Sequence, residues 1–349
     1  ILIMAYTTIN KSTDYFNTVL YTGNGSARTI TTGMQPDLNW IKRRNQVDNH
    51  WWTDSVRGAT KYIGSNRTNA EATETTAVTG ITSTGFTLGA DTNQGEVNAN
   101  TYTYCSWNWK ANGSGSANTD GSINTTATSV NTTAGFSISK FTFPASGNFT
   151  LGHGLGVAPR MIIMKGLNTA NWQVYHESMG NTNMLQLNST AAKSSAANWW
   201  GSTSPTSTVF TVGADFVEAN QIGIAYCFAE KTGYSKFGSY TGNGNADGTF
   251  VYTGFAPAWV LVKRSDAAES WFLYDNKRNA YTGNERYYVL RPNTNSAENT
   301  TYSDNWQMDF LSNGFKLRAS AGHLNSGNLI YMAFGQSLVG SNNVPCTAR

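Results

Sequence analysis

Three residues able to do acid–base chemistry occupy one repeated position of the chain. Asp54 and Asp275 share it, and His176 takes their place in the middle of the chain. General acid–base catalysis needs an acid and a base at a fixed spacing, but no carboxylate recurs at a constant distance from this position, and Glu177 adjoins only His176. The sequence also contains no GxSxG, HExxH or Walker-type segment. We therefore predict no catalytic residue and no enzymatic activity.

Aromatic side chains near polar loops are the stronger lead, because sugar recognition combines an exposed ring face with amide hydrogen-bonding groups. The candidate ligand-binding residues are Trp51, Trp52, Trp199, Trp200 and Trp306. The alternative is that these rings pack in the core. Trp172 and Trp271 recur at one repeated position, which favours packing for them, whereas Trp199 and Trp200 fall in a segment specific to one copy.

No metal or cofactor site is expected. Cys105, Cys227 and Cys346 are far apart and odd in number, and no Cys-x-x-Cys or Cys/His spacing typical of zinc is present. Carboxylate and amide groups at 91–93 and 304–305 suit calcium, but the spacing of an EF-hand loop is absent. We predict no cofactor and no metal, with bound calcium as the open alternative.

The low charge argues against partners that need a charged surface. Charged residues make up 13% of the 349 residues and the net charge is +3, whereas an average globular chain has about 25% charged residues. The longest basic run, 42–44, is too short for the stripe that neutralises nucleic-acid phosphates. No segment approaches the ~18 apolar residues of a membrane span, and Met4 is the expected translation start. We expect neither nucleic-acid binding nor membrane insertion.

The position shared by Asp54 and Asp275 belongs to a larger internal repeat. Four landmarks occur three times in the same order, which is far more specific than one short motif. The first is a Tyr-Thr-Gly-Asn-Gly segment, at 21–25 and 240–244, with 141–147 in its place between them. The second is a proline with an apolar run ending in lysine, at 36–42, 159–165 and 257–263. The others are an aromatic segment, at 50–54, 172–176 and 271–275, and a turn with a strand, at 83–88, 207–212 and 312–317.

These landmarks divide the chain into three copies of one domain. The predicted organisation is a leader at 1–15, repeats at 16–111, 134–230 and 234–337, and a tail at 338–349. Between the first two repeats, 112–133 is rich in Gly, Ser, Asn and Thr, which favours a flexible linker or an edge strand. The short connection at 231–233 predicts a fixed relation between the second and third repeats.

The patterns within each copy are typical of a β-sandwich. Proline is tolerated at a strand entrance, and the apolar run behind it has the character of a strand buried on both faces. The lysine that ends each run, Lys42, Lys165 or Lys263, is expected to mark the exit to solvent. No window shows a convincing helical period. We predict an all-β fold of three tandem antiparallel β-sandwich domains, of jelly-roll or concanavalin-like type.

Several long segments of the chain are distinctive. They are YTGNG (21–25), QPDLNWIK (35–42), DSVRGATK (54–61), GHGLGVAP (152–159), YHES (175–178), FGSYTGNG (237–244), FAPAWVLVK (255–263), DFLSNGFK (309–316) and VGSNNVPCTAR (339–349). In these segments the chain resembles a family of repeat proteins of marine bacteriophages, including those of cyanobacteria and abundant ocean heterotrophs. The resemblance implies a virion protein with lectin-like β-sandwich repeats and no established enzymatic activity, and it assigns no ligand-binding residue.

Repeats without catalytic motifs favour a structural protein of the virion. We expect a tail fibre or receptor-binding protein for host-surface attachment, with polysaccharide as a candidate receptor. Two alternatives stay open: a capsid decoration (cement) or other head-associated protein, and a glycan-degrading tailspike. The expected partners are other virion proteins, the host receptor and further copies of the chain, with a trimer as one form. The expected location is the tail or capsid surface, after synthesis in the bacterial cytoplasm.

Overall fold

Strands are the main regular secondary structure, as the Thr-rich and aromatic-rich composition predicts. It is a computed structural model and describes residues 6–92, 96–195, 197–278, 283–301, 305–320 and 322–337. Strands account for 43% and helices for 4% of the chain, and the sheets are antiparallel. The predicted all-β class is confirmed.

The first repeat has two layers, an inner and an outer sheet. Its strands are β1 (Phe16–Thr22), β2 (Arg28–Thr31), β3 (Leu38–Arg43), β4 (Trp51–Asp54), β5 (Lys61–Tyr62), β6 (Ala72–Thr73), β7 (Val78–Thr82), β8 (Gly85–Leu88) and β9 (Thr103–Trp109). The inner sheet has the order β1-β9-β3-β4 and the outer sheet the order β2-β8-β7, while β5 pairs with β6. A 3-10 helix, Ser12–Asp14, precedes β1.

The second repeat has the same arrangement with extra strands at the edges of its inner sheet. Its strands are β10 (Ala127–Asn131), β11 (Phe136–Thr142), β12 (Phe149–Gly152), β13 (Met161–Gly166), β14 (Trp172–His176), β15 (Asn183–Gln186), β16 (Ser194–Ser195), β17 (Val209–Val212) and β18 (Ile222–Phe228). The order β11-β18-β13-β14 matches the inner sheet of the first repeat, with β10 on one side and β15-β16 on the other. The outer sheet is β12-β17, and 3-10 helices span Glu177–Met179 and Ala214–Phe216.

The third repeat again pairs a four-stranded inner sheet with an outer sheet. Its strands are β19 (Ser235–Asn243), β20 (Phe250–Tyr252), β21 (Ala256–Arg264), β22 (Trp271–Asp275), β23 (Glu285–Arg286), β24 (Met308–Leu311), β25 (Gly314–Leu317) and β26 (Ser326–Gln336). The inner order is β19-β26-β21-β22 and the outer order β20-β25-β24-β23. A single helical turn, α1 (Gly322–Asn325), leads into β26.

Both faces of each inner sheet are buried, against different partners. On β3, Ile41 packs in the core between the two sheets of the first repeat, whereas Leu38 and Trp40 pack in a core to which all three repeats contribute. The other repeats have cores of their own between inner and outer sheets. The apolar runs of the sequence are therefore buried twice, once within the repeat and once in this shared core.

Three aromatic rings at equivalent positions form a triangle within the shared core. Trp109, Phe228 and Phe334 end the apolar stretch of β9, β18 and β26. Their ring centroids are 6.3 Å apart for Trp109 and Phe228, 5.8 Å for Trp109 and Phe334, and 6.2 Å for Phe228 and Phe334. These distances lie in the range of favourable aromatic pairs. The three repeats therefore meet around an approximate threefold axis.

Paired backbone hydrogen bonds join each repeat to the next, at contacts that we call seams. In the first seam, between repeats one and two, Ala170 N donates to Thr68 O (2.9 Å) and Glu71 N to Leu167 O (2.8 Å). The corresponding bonds of the second seam are Glu269 N to Thr190 O and Lys193 N to Ser265 O, both 2.8 Å. The third seam returns from repeat three to repeat one, with Asp48 N to Asn295 O and Glu298 N to Arg44 O, both 2.7 Å. The arrangement of repeats is therefore closed.

The segments flanking the first repeat are part of this packing. Of the two forms expected for 112–133, a strand is present at its end, since β10 lies at the edge beside β11. The segment also bonds to the first repeat through Gly113 N, which donates to Asp37 Oδ1 (2.9 Å). In the leader, Ile9 is buried in the shared core. Residues 1–5 and the tail at 338–349 lie outside the described residues.

Candidate functional site

The carboxylates first considered for acid–base chemistry are buried structural groups. Asp54 Oδ1 accepts hydrogen bonds from the backbone of Val56 and Arg57, and its Oδ2 lies 2.6 Å from Arg57 Nε. Asp275 and Arg278 repeat this arrangement, with Arg278 Nε donating to Asp275 Oδ2 at 2.5 Å. Burial raises the pKa of Asp275, but the Arg278 guanidinium and several hydrogen bonds outweigh it, so that its pKa is lowered overall. Buried and paired with an arginine, the two carboxylates stabilise the turns after β4 and β22.

Each of these carboxylates also receives a hydrogen bond across a seam. Tyr226 Oη donates to Asp54 across the first seam (2.7 Å), and Trp107 Nε1 donates to Asp275 across the third (2.8 Å). Tyr226 and Trp107 are equivalent, because they face Ile138 and Thr18 in matching strand registers.

In the second seam, the aspartate, its arginine and the donor that crosses the seam are all replaced by other residues. His176 stands in place of the aspartate and Met179 in place of the arginine, while Met332 occupies the donor position. His176 Nε2 lies 3.1 Å from Tyr331 O, and its Nδ1 accepts from Ser178 N. Because Met332 offers no donor and Met179 no charge, a neutral imidazole fits where a carboxylate would be unpaired.

The three lysines expected to reach solvent are fully buried, so that expectation was wrong. Lys42, Lys165 and Lys263 are each 0% exposed. Their ammonium groups donate to backbone carbonyls: Lys165 to Ala170 O (2.7 Å) and, across the seam, Thr68 O (3.1 Å). Burial lowers the pKa of each lysine to about 8. A lysine at the end of an apolar run is amphipathic, and here its stem and its head are both enclosed by the seam.

A ring N–H crosses each seam beside the lysine. Trp172 Nε1 donates to Gly64 O (2.9 Å) and Trp271 Nε1 to Gln186 O (2.9 Å). His50 takes the same place in the third seam, where Trp40 Nε1 donates to its Nδ1 (2.8 Å) and its Nε2 donates to Arg291 O (3.0 Å). Burial and the Lys42 charge lower the pKa of His50 well below its usual range. Its role is that of a neutral structural donor.

Three of the five tryptophans predicted to bind a ligand have no accessible face. Trp51 and Trp52 are 0% exposed and Trp200 is 2% exposed. Trp51 stacks on Tyr62 inside the first repeat, with ring centroids 3.6 Å apart, and Trp52 packs against Trp172 in the shared core. Adjacent tryptophans on a strand point to opposite faces, and here both faces are buried. The surface-binding prediction does not fit these three residues.

The other two predicted tryptophans are half-buried and far from each other in the fold. Trp199 packs on Phe216 of the second repeat, with ring centroids 5.2 Å apart. Trp306 packs against the core of the third repeat, next to Arg291 and His323. The five tryptophans are therefore distributed over four separate cores and form no common site.

A groove of about 550 Å³ lies where the first and third repeats meet, within the size range of ligand sites. We call it the groove and define it by its lining: Ser12, Thr13, Phe16, Asn17, Thr18, Ala256, Pro257, Ala258, Asn276, Lys277, Gly283, Asn284, Arg286, Phe310, Leu311, Gln336 and Ser337. Amide and hydroxyl side chains predominate, with two cations and two phenyl rings. Such a surface suits a hydroxyl-rich ligand such as a saccharide.

Two polar atoms of the groove lining, Thr18 Oγ1 and Arg286 Nε, are enclosed by protein and find no hydrogen-bond partner among the residues that the structure describes. Leaving such a buried atom unpaired costs about 1–3 kcal/mol. Both atoms are shielded from the groove itself, so a ligand would contact other atoms of its lining. Sequence reasoning missed this groove because its residues come from distant parts of the chain. The available signal was Thr18, a polar residue at a position that is Ile138 and Phe237 in the other repeats.

Neither a metal centre nor a membrane span is found in the parts of the chain that the structure describes. No three His, Cys, Asp or Glu side chains converge there as a metal site requires, and none of the helices there has the length and apolar character of a bilayer span. Asn93 and Asp304, on which the calcium alternative depends, lie outside those parts, as does Cys346. Cys105 and Cys227 are free and buried, and burial raises the pKa of Cys105 to about 12.

Comparison with known proteins gives a family and no relative of known function. No curated protein and no solved structure shows significant similarity to the chain. A family model described as a domain of unknown function (DUF7483) matches residues 11–337 as one unit, spanning all three repeats. The chain therefore belongs to the DUF7483 family.

Proposed function

We propose that this chain is a structural protein of a bacteriophage virion that presents a rigid body of three lectin-like repeats for attachment to the host surface. The observation that carries the proposal is the closed arrangement of the repeats, since three seams and a shared core fix every binding surface relative to the others. A preorganised surface binds with a smaller loss of conformational freedom. The marine-phage resemblance of segments such as 237–244 and 309–316 supports the virion assignment.

A binding role is supported over hydrolysis by where the carboxylates lie. Asp54 and Asp275, the candidates for a glycan-degrading tailspike, are each held by an arginine and a seam donor. A general acid must exchange its proton with the substrate, and neither group is accessible for that. The groove, in contrast, offers amides, hydroxyls and cations along an accessible surface.

Antibody labelling of purified particles, combined with quantitative mass spectrometry, tests the proposal. We expect gold label at the tail and a few to some tens of copies per particle, consistent with a fibre assembled from homo-oligomers such as trimers. Label on the head with hundreds of copies would instead assign capsid decoration, and absence from the particle would reject the virion role. Release of reducing ends from host polysaccharide by the purified chain would favour the tailspike.

A further inference from the structure

The groove carries positive charge that no carboxylate of its lining balances. Lys277 and Arg286 are the charged residues among the lining side chains, which include no Asp or Glu. Lys277 is exposed, and Arg286 is half-buried beside the Phe310 ring, 5.3 Å from its centroid. A cation in a partly enclosed groove attracts anions more strongly than one on an open surface.

Three carboxylates that are next in sequence to lining residues pair with other cations. Asp275 pairs with Arg278 (2.5 Å), Asp309 with Arg318 (2.6 Å), and Asp14, next to Thr13 of the lining, with Lys11 (3.0 Å). Within the described part of the chain, neither Lys277 nor Arg286 lies within ion-pair distance of a carboxylate. Asp275 and Asp309 attract the Arg286 guanidinium at longer range, but neither forms an ion pair with it, so Arg286 and Lys277 can still pair with a ligand.

Arg286 is already held in place on one side. Its Nη1 donates to Gly283 O and Glu285 O, both at 2.8 Å. These bonds and the Phe310 contact orient the guanidinium. An oriented guanidinium recognises the planar oxygen pair of a carboxylate, or two oxygens of a sulfate, better than a flexible ammonium does.

The other two repeats provide an internal comparison. Thr18 lines the groove where the same register holds Ile138 and Phe237, both of which fill the shared core. Lys277 stands two residues after β22, where the first and second repeats have Val56 and Ser178. The third seam alone of the three thus combines a small polar residue with a cation at these positions.

We propose that the groove binds an anionic saccharide, with Arg286 and Lys277 pairing with its carboxylate or sulfate group. Exposed Asn276 and Asn284 lie on the same lining and supply amide groups for sugar hydroxyls. Thr18 lines the groove and leaves space for the ligand where the other repeats have the larger side chains of Ile138 and Phe237. This inference deepens the proposed attachment function, on which it depends only for the biological source of the saccharide.

Calorimetric titration of the full chain with defined probes tests the inference. The probes are tetragalacturonate, a sulfated heparin tetrasaccharide, neutral maltotetraose and inorganic sulfate. We expect at least one anionic oligosaccharide to bind, and maltotetraose and inorganic sulfate to bind at least tenfold more weakly. The preferred tetrasaccharide distinguishes a carboxylate from a sulfate source. We expect Arg286→Gln to weaken its binding at least tenfold and Lys277→Gln several-fold.

A second variant separates loss of binding from loss of folding. Thr18→Ile introduces the residue of the second repeat and fills the groove, so binding is lost while the thermal midpoint is unchanged or raised. Arg160→Gln is the matched control, because Arg160 occupies the place of Ala258 in the second seam. The inference would be overturned if maltotetraose or inorganic sulfate bound as tightly as the anionic tetrasaccharides, or if no probe bound. It would also be overturned if Arg286→Gln and Thr18→Ile bound the preferred tetrasaccharide as tightly as the natural chain does. None of these results alters the particle-labelling outcome, so the two proposals fail separately.

Discussion

The hydroxyl of Tyr226 in the second repeat donates a hydrogen bond to the carboxylate of Asp54 in the first, at 2.7 Å. Asp54 thus has two functions, since it also pairs with Arg57 within its own repeat. A buried carboxylate is stable when its oxygens are fully bonded. The turn after β4 and the contact between two repeats therefore depend on one side chain.

Removing the Tyr226 hydroxyl tests this dependence. Tyr226→Phe deletes a buried hydrogen bond to a charged group, and we expect a loss of about 1.5–3 kcal/mol in the free energy of unfolding. Urea unfolding followed by tryptophan fluorescence measures it. Tyr252→Phe, at a ring that is 59% exposed, is the control and should change stability by less than ~0.5 kcal/mol. Equal stability of the two variants would contradict the coupling.

The residues of the second seam predict which combination of substitutions the first seam can accommodate. Arg57→Met alone leaves Asp54 buried without its guanidinium, at a cost of about 3–5 kcal/mol. The triple variant Asp54→His, Arg57→Met, Tyr226→Met copies the residues of the second seam. We expect it to be more stable than Arg57→Met alone. The control is Asp54→His with Tyr226→Met, which leaves the buried Arg57 with only the more distant, partly exposed Glu71 (3.3 Å) as its ion-pair partner and should be less stable than the triple. If the stability change of the triple variant equalled the sum of the changes caused by Arg57→Met and by the control, the three positions would be independent, and the idea that the two residue sets replace each other as units would be refuted.

His176 predicts a pH dependence of stability. Burial lowers its pKa to about 4 in the folded chain, whereas an unfolded histidine has a pKa near 6.5. Only the unfolded chain binds the proton between these values, so stability falls by about 1.4 kcal/mol per pH unit as the pH drops from about 6.5 to 4. His176→Asn removes this contribution. Stability curves of the two proteins that run parallel from pH 7 to 4 would show that His176 does not titrate in this way.

The buried lysines predict a further rise in stability with pH, in the alkaline range. The folded chain disfavours the ammonium of Lys165, whose pKa burial lowers to about 8, relative to about 10.4 when unfolded. The penalty is complete below pH 8 and disappears above pH 10.4, so stability rises between these values. Urea unfolding of Lys165→Met at pH 7.5 and 10 should show a smaller rise than the natural chain. Lys140→Met, at a half-buried lysine, is the control.

The repeated landmarks predicted strands well, because periodicity and proline report local structure. The apolar runs that begin at Pro36, Pro159 and Pro257 overlap the central strands β3, β13 and β21 to within two residues at each end. Alternation and turn glycines likewise placed strand β8 at Gly85–Leu88. These features depend on residues close in sequence, which is what a single chain displays.

The burial partners could not be predicted in this way. A run apolar on both faces is compatible with two sheets of one sandwich, and nothing in 36–42 indicates that Trp40 faces Trp259 of the third repeat in a core shared by all three repeats. The same limit explains Lys165, which is enclosed by a loop of the preceding repeat nearly a hundred residues away. It also explains Trp51 and Trp52, whose polar neighbours in sequence are not their neighbours in space.

Amide hydrogen exchange of the closing strands tests most directly whether the three repeats form one body. Strands β9, β18 and β26 each belong to one repeat and end at Trp109, Phe228 and near Phe334 of the shared core. Because no repeat can open without breaking two seams and exposing that core, we predict that the slowest amides of all three strands exchange with one free energy, equal to that of global unfolding. A markedly lower exchange free energy for β9 alone, with β18 and β26 still protected, would contradict the closed arrangement.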